Sequence, residues 1–425
     1  MRCLVSVTEP AASHLSRDTV GQDGAMSSAQ RVHMHVGLPK TGTSYLQTVL
    51  HTARERLRST GVLYAAHFYD EHFYAALDLQ HLAFNAVVRP EAEGRWDALA
   101  AEVRAWPGNS VISAEVLAAA SLEQARRAIE SLAPAEVHVV LTVRDPGAHL
   151  VSTWQEDVKH GETATFADWC HAIAARDESR WNLWWYWRSG DLPSVLGRWA
   201  AVLPPERLHV ITVPPAGAPA GALWERFAAT VGIEPGTVDL AHTPWANHGL
   251  GTESTAFLRR VNRERQRLDQ VSYEHLVKGV LAHETLSRYP RPIRPELPDQ
   301  ARDFVEQRAK EWIAAVQASG AEVVGDFADL RPALTSTRSP DDVSQQDVLD
   351  VAVFATWELL MQVRDARATI GRLHDEVAGL HRDLDAARRA SALKHLVRRA
   401  SEHSPALMRA RVAWWHTVEV VRALR

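Results

Sequence analysis

The stretch HMHVGLPKTGTSYLQTVL, His33 to Leu50, decides how the rest of the chain is read. An apolar run ends in a loop with two glycines and a lysine, after which Leu46, Leu50, Ala53 and Leu57 fall on one helical face. A strand that passes through such a loop into a helix is the opening of an α/β layer fold. Four residues separate Gly37 from Gly42, as in a Walker A loop, but that pattern needs Gly-Lys-Ser/Thr at the helix start. Here Thr43 and Ser44 follow the second glycine, and the lysine stands two residues ahead of it as Lys40. The parts of an anion cradle are still present. The amides of Thr41 to Ser44 lie at a helix N-terminus, where backbone donors lack partners and the dipole is positive. The hydroxyls of Thr41, Thr43 and Ser44 add donors, Pro39 stiffens the approach, and Gly42 permits close backbone contact.

Further strands are predicted at Val62 to Ala65, Ser110 to Ala114, Val137 to Val143 and Leu208 to Val213, with amphipathic helices between them. That alternation predicts a three-layer α/β sandwich with a mostly parallel central sheet. A second motif stands in VHVVLTVRDPGAHLVSTW, Val137 to Trp154. The strand runs out at Arg144, Asp145 suits an N-cap, and Pro146 suits the first helical turn. Ser152 lies eight residues after Arg144, about two helical turns on, so it can face the same side as the strand-end arginine. An arginine fork with a neighbouring hydroxyl is well matched to a terminal phosphate.

PKTGTSYLQ resembles the 5′-phosphosulfate loop of sulfotransferases that use 3′-phosphoadenosine 5′-phosphosulfate (PAPS), which read Pro-Lys-[Ser/Thr]-Gly-Thr-[Ser/Thr]. Arg144 and Ser152 are similar to the 3′-phosphate site of the same family in type, spacing and context. The resemblance implies a P-loop-like fold, PAPS as sulfuryl donor and no metal. It implies that Pro39, Lys40, Thr41, Gly42, Thr43 and Ser44 hold the 5′-phosphosulfate, with Lys40 on the bridging oxygen, and that Arg144 and Ser152 hold the 3′-phosphate. A third segment, WANHGLGTESTAFLRRVN from Trp245 to Asn262, resembles a C-terminal stretch of bacterial members. It would bring Asn247 and the backbone of Gly249 to Gly251 to the nucleotide. The match covers about Arg31 to Phe327.

The acceptor hydroxyl or amine, on a glycan or a small molecule, needs a general base. Glu115 follows the strand SVISA where the cytosolic branch of the family has the histidine of its Lys-Thr-His motif, which this chain lacks. Glycan-modifying members place a glutamate 20 to 30 positions after the loop lysine, and His67, Glu71 and His72 fall near that distance. Two other functions stay open: a P-loop kinase, opposed by the displaced lysine and by Arg144 where a magnesium-binding aspartate belongs, and a non-catalytic scaffold with a vestigial pocket. The tryptophans of RWNLWWYWRSGD, Arg180 to Asp191, read as a helix face in the core or as a stacking surface for an acceptor ring. His33 and His35, inside the first strand, read as structural.

Composition sets the outer bounds. With 425 residues, 46% hydrophobic and 23% charged, the chain is a globular protein of at least one large domain. A net charge of -5 gives no global basic field, which argues against nucleic acid as a partner. Two distant cysteines, Cys3 and Cys170, form no disulfide framework or zinc site and suit a reducing, cytoplasmic compartment. Frequent arginine, alanine and tryptophan fit a GC-rich bacterial genome. The expected organisation is a disordered leader over 1–29, a sulfotransferase domain over 30–335, a linker over 336–346, a coiled-coil helix over 347–390 and a basic helical tail over 391–425. Val363, Ala366, Ile370, Leu373, Val377, Leu380, Leu384 and Ala387 keep a heptad spacing that suits self-association or packing on the chain's own domain. The tail, with Trp414 and Trp415, suits a docked helix or peripheral contact with an anionic membrane.

Overall fold

β1 (Arg31–His35) leads through α1 (Thr43–Ser59) to β2 (Val62–Tyr64), and α2 (Glu71–Gln80) and α3 (Arg95–Ala105) lead on to β3 (Asn109–Ser113). Then come α4 (Leu122–Ser131), β4 (Glu136–Val143), α5 (Pro146–Lys159), α6 (Phe166–Ala174), α7 (Trp181–Trp185), α8 (Leu192–Ala200), β5 (Leu208–Thr212) and α9 (Ala222–Val231). The chain continues with α10 (Thr252–Asn262), α11 (Gln270–Ser272), α12 (Arg302–Ser319), β6 (Glu322–Val324), α13 (Gln345–Glu402) and α14 (Pro405–Ala423). This computed structural model describes residues 30–84, 87–240, 249–332 and 339–423, so the 1–29 leader lies outside it.

All six strands are parallel and ordered β2-β3-β1-β4-β5-β6. From β1 the chain passes to the edge strand β2, returns inward to β3 beside β1, and then crosses to place β4 on β1's other side. The C-terminal ends of β1 and β4 therefore flank a topological switch point, where ligands of open α/β sheets bind. Alternation along the strands divides the core in two. Val32, Met34, Val137, Val139 and Leu141 join Leu77, Trp96, Ala125, Trp199 and Trp312 on one face. Val111, Val140 and Ile211 join Leu46, Leu50, Trp224 and Phe227 on the other. Helices thus cover both faces, which is the expected three-layer arrangement.

The strand before the first loop forms, and the four further predicted strands form with their ends within one residue of those predicted. β6 is an addition. At three residues it is too short to carry an alternation and is defined by pairing with β5. α4 begins with a capping box in which the Ser121 hydroxyl accepts from the Gln124 amide at 3.1 Å. Ser121→Ala is expected to lower stability by about 1 kcal/mol, read as a shift in urea midpoint at unchanged slope.

The described residues cluster into two compact units. The first contains the sheet and runs to Asp157, then over 164–240, 295–332 and 339–340; the second takes 158–163, 249–294 and 341–423. Residues 249–294 thus go with the C-terminal helices. In the second unit Asn262 fastens the short 158–163 segment: its Nδ2 donates to the carbonyls of Val158 (2.7 Å) and Glu162 (3.0 Å), and its Oδ1 accepts from Tyr273 (2.7 Å). α13 is one helix of 58 residues, starting near the predicted coiled-coil boundary and running past 390. Its first turns bury Val348, Val351 and Ala355. The tail forms α14, with Trp414 and Trp415 exposed at 60% and 49%, so neither is docked among the described residues. No helix among the described residues is long and apolar enough to cross a membrane.

Candidate functional site

β1 stays paired with β4 beyond its last strand residue, because the amides of Val36 and Leu38 donate to the carbonyls of Val140 and Thr142, both at 3.0 Å. The chain then turns sharply. Gly37, Lys40 and Gly42 all take positive φ, at 45°, 67° and 87°. Gly37 has no room for a side chain, since a Cβ would stand 2.6 Å from Thr43 Cγ2; at Gly42 it would stand 2.5 Å from Leu223 Cδ2. A positive φ at a lysine is uncommon and is held only when the surroundings fix it. Here they do.

The floor of the loop is a chain of hydrogen bonds. Thr41 Oγ1 donates to the Leu38 carbonyl (2.5 Å) and accepts from Thr142 Oγ1 (2.7 Å), which itself accepts from His35 Nε2 at 3.0 Å. His35 Nδ1 in turn accepts from Ser113 Oγ at 2.8 Å. That order requires a neutral His35, and burial pushes its pKa down to about 3. His35 is structural, as expected. The hydroxyl of Thr41, expected as a ligand donor, is committed inside the loop, which leaves that residue its amide. Thr43 is also buried, whereas Ser44 is half-buried.

A histidine that the sequence reading passed over holds the loop from the other side. His149 Nε2 donates to the Pro39 carbonyl at 3.0 Å, and its ring packs edge-on against Trp312 and near Tyr186. Burial, then the charges of Arg144 and Lys40, lower its pKa to about 3. His149 is therefore neutral and fixes the residue before Lys40.

The two predicted cationic residues come together across β1 and β4. Arg144 Nη1 donates to the Lys40 carbonyl and to Ser152 Oγ, each at 3.3 Å. Its Nε is buried and has no partner. Burial lowers the arginine's pKa, partly offset by Asp145. The guanidinium thus has two long bonds to neutral acceptors, both from Nη1, and a buried Nε donor left over, an arrangement that an anion would complete. Asp145 caps α5, accepting from the Ala148 amide at 2.8 Å, which commits the carboxylate that stands beside Arg144 where a magnesium ligand would be sought.

Lys40 is not idle. Its Nζ lies 2.9 Å from Glu156 Oε2, both side chains being partly exposed. Glu156 sits one helical turn beyond Ser152 on α5 and was not singled out in the sequence. Gly42, the N-cap of the 17-residue α1, provides no side-chain cap, so the first amides of that helix meet no side chain from the cap. One turn into α1, Gln47 Nε2 donates to Glu115 Oε2 at 2.9 Å. That bond ties the β3-end carboxylate to the helix that starts at the loop. Tyr69, also missed, leans on the same turn, with its hydroxyl 3.1 Å from Thr48 Oγ1.

The rival base region is arranged differently. His67 is exposed and pairs with Glu102 at 3.2 Å. Glu71 accepts from the His67 amide at 2.6 Å. His72 is buried between Ala65 O (2.9 Å) and the Ser113 amide (3.2 Å), with its pKa lowered to about 4 by burial, so it joins β2 to β3. Among the described residues His67 bonds to Glu71 and Glu102, and no hydrogen bond or ion pair joins it to the Lys40 loop. Asn247 lies outside the described residues. In the tryptophan segment Tyr186 and Trp187 are buried, whereas Trp181 and Trp185 stack at 5.1 Å with Trp181 exposed. Among the described residues no group of three or more His, Cys, Asp or Glu is placed to hold a metal ion.

Compared with known proteins, the chain matches no family model, no curated protein and no solved structure.

Proposed function

We propose that this protein transfers a sulfuryl group from PAPS to a hydroxyl or amine of a glycan or small-molecule acceptor, on a P-loop-like fold. The observation that carries the reading is the pairing of the Lys40 loop with a half-satisfied Arg144 at the switch point of the sheet. PAPS presents two anionic groups on one ribose, and two cationic sites at adjacent strand ends suit it. The fit of the 3′-phosphate is supported by the buried Arg144 Nε, which has no acceptor of its own.

In this reading the α1 amides and Lys40 bind the 5′-phosphosulfate, while Arg144 and Ser152 bind the 3′-phosphate. Glu115 takes the acceptor proton. A bond forms from the acceptor oxygen or nitrogen to sulfur as the bond from sulfur to the 5′-phosphate oxygen breaks. The products are the sulfated acceptor and adenosine 3′,5′-bisphosphate. Charge grows on the leaving oxygen, and Lys40 meets it there. Glu156 neutralises Lys40 until the donor arrives.

The test is calorimetric titration of adenosine 3′,5′-bisphosphate into the wild type and Arg144→Ala, with ATP–Mg in parallel. Arg144→Ala is expected to weaken the bisphosphate by about 1.5 to 3 kcal/mol, the range for a hydrogen bond to a charged group. Binding of ATP–Mg in place of the bisphosphate would favour the kinase, and silence from both would leave the scaffold. Glu156→Gln removes a negative charge beside the ligand and is expected to tighten the bisphosphate by about 0.5 to 1 kcal/mol, an effect that fades at high salt.

A further inference from the structure

We propose that residues 363–387 of α13 pair with the same segment of a second copy of this chain as a parallel two-stranded coiled coil. α13 is held at its start, where Gln362 still donates to Thr285, and at its end, where Ser401 is buried and accepts from Arg411, but from 363 to 400 only Gly379 is less than exposed. Yet one face is apolar throughout. Val363, Ile370, Leu373, Val377, Leu380 and Leu384 are each 47% to 62% exposed. A stripe of that length on a lone helix leaves apolar surface in water that a matching helix would cover.

The occupant follows from the residues on and beside the stripe. Taking Val363, Ile370, Val377 and Leu384 as positions a places Ala366, Leu373, Leu380 and Ala387 at d. Branched residues at a with leucine at d favour two parallel strands. The flanks then sort by charge. The g positions are Gln362, Thr369, Glu376 and Asp383, and the e positions are Arg367, His374, His381 and Arg388. In a parallel pair each g faces the e five residues on in the other copy, which sets Glu376 against His381 and Asp383 against Arg388. An antiparallel pair would set g on g and e on e, acid against acid and base against base. Arg388 also lies 3.9 Å from Asp385 on its own helix, an exposed contact that does not hold it away. The alanines at d, Ala366 and Ala387, mark where the seam is thinnest. The inference is independent of the anion site.

Sedimentation equilibrium of the full chain at micromolar concentration is expected to give twice the chain mass. Glu376→Lys with Asp383→Lys should weaken the dimer by about tenfold or more. Its mixture with the His381→Glu, Arg388→Glu variant should restore pairing. In a Cys3→Ser, Cys170→Ser background, Val363→Cys should cross-link to itself on mild oxidation. A monomer, a trimer, or cross-linking only between Val363→Cys and Ala387→Cys chains would each overturn the proposal.

Discussion

Between pH 7 and pH 5 the sheet-bearing unit is expected to lose about 7 kcal/mol of stability, a large part of what a domain of this size possesses. The cause is four histidines held neutral. Burial lowers His33 to about 3, helped by the charges of His138, His209 and Arg31 and opposed by Glu136. Burial alone takes His35 to about 3. It takes His149 to about 3, helped by Arg144 and Lys40, and His72 to about 4 against the backbone bonds at Ala65 and Ser113. In the unfolded chain each titrates near 6.5. Because the folded values are depressed, the stabilisation is complete above pH 6.5 and is lost as the pH falls from there towards 4. At pH 5 each histidine costs the native state about 2 kcal/mol, and unfolding takes up about four protons. Urea unfolding at half-unit steps from pH 7.5 to 5 measures this directly. His149→Gln, whose amide can still donate to the Pro39 carbonyl, should remove about one of the four protons from the slope. A profile flat down to pH 5.5 would show that these rings open to water or find acceptors on protonation.

The parts of this molecule that the sequence announces are those whose signal is local. β1 and β4 each end in a polar turn that opens a helix, so Lys40 and Arg144 are placed by chain geometry close to a strand end, and Ser152 by the helical repeat about two turns further on. The capping role of Asp145 is legible for the same reason. His149 and Glu156 are not, because what matters about them is that α5 carries them back to Pro39 and Lys40, more than a hundred residues away in sequence. Thr41 is a related case: its type suits a ligand donor, but the loop's tight path turns the hydroxyl inward to Leu38 and Thr142. His67 was drawn in by its distance from the lysine, which does not say which edge or partner a side chain meets. β6 and the π-helical turns at Tyr186–Gly190 and Tyr273–Thr285 carry no periodicity that a helix or strand pattern would detect. α13 was legible through its heptads. Its run past 390 has arginine, alanine and leucine, good helix formers without a repeat.

Lys40→Ala is expected to lower the rate of sulfuryl transfer by about a hundred- to a thousandfold while changing the affinity for PAPS far less. The asymmetry follows from where the charge is needed. In bound PAPS the bridging oxygen carries little negative charge; the charge grows as its bond to sulfur breaks and stays on the 5′-phosphate of the product. The lysine's stabilisation is therefore small before transfer, appears during it and persists in the bisphosphate complex, whose affinity should also fall. Arg144→Ala should show the reverse, a loss of binding with a smaller change in the bound-state rate. Alanine at position 40 meets the same positive φ as lysine, so the loop's backbone strain is unchanged. Removing Lys40 also leaves Glu156 uncompensated beside the donor, which would weaken binding for a reason unrelated to chemistry. The double variant Lys40→Ala, Glu156→Gln cancels that charge and is the proper background for the comparison. Single-turnover release of bisphosphate from PAPS, with phenolic, amine and sugar acceptors and with water alone, separates rate from affinity. A double variant that transfers at the wild-type rate would take Lys40 out of the chemistry and leave the loop as a binding site only.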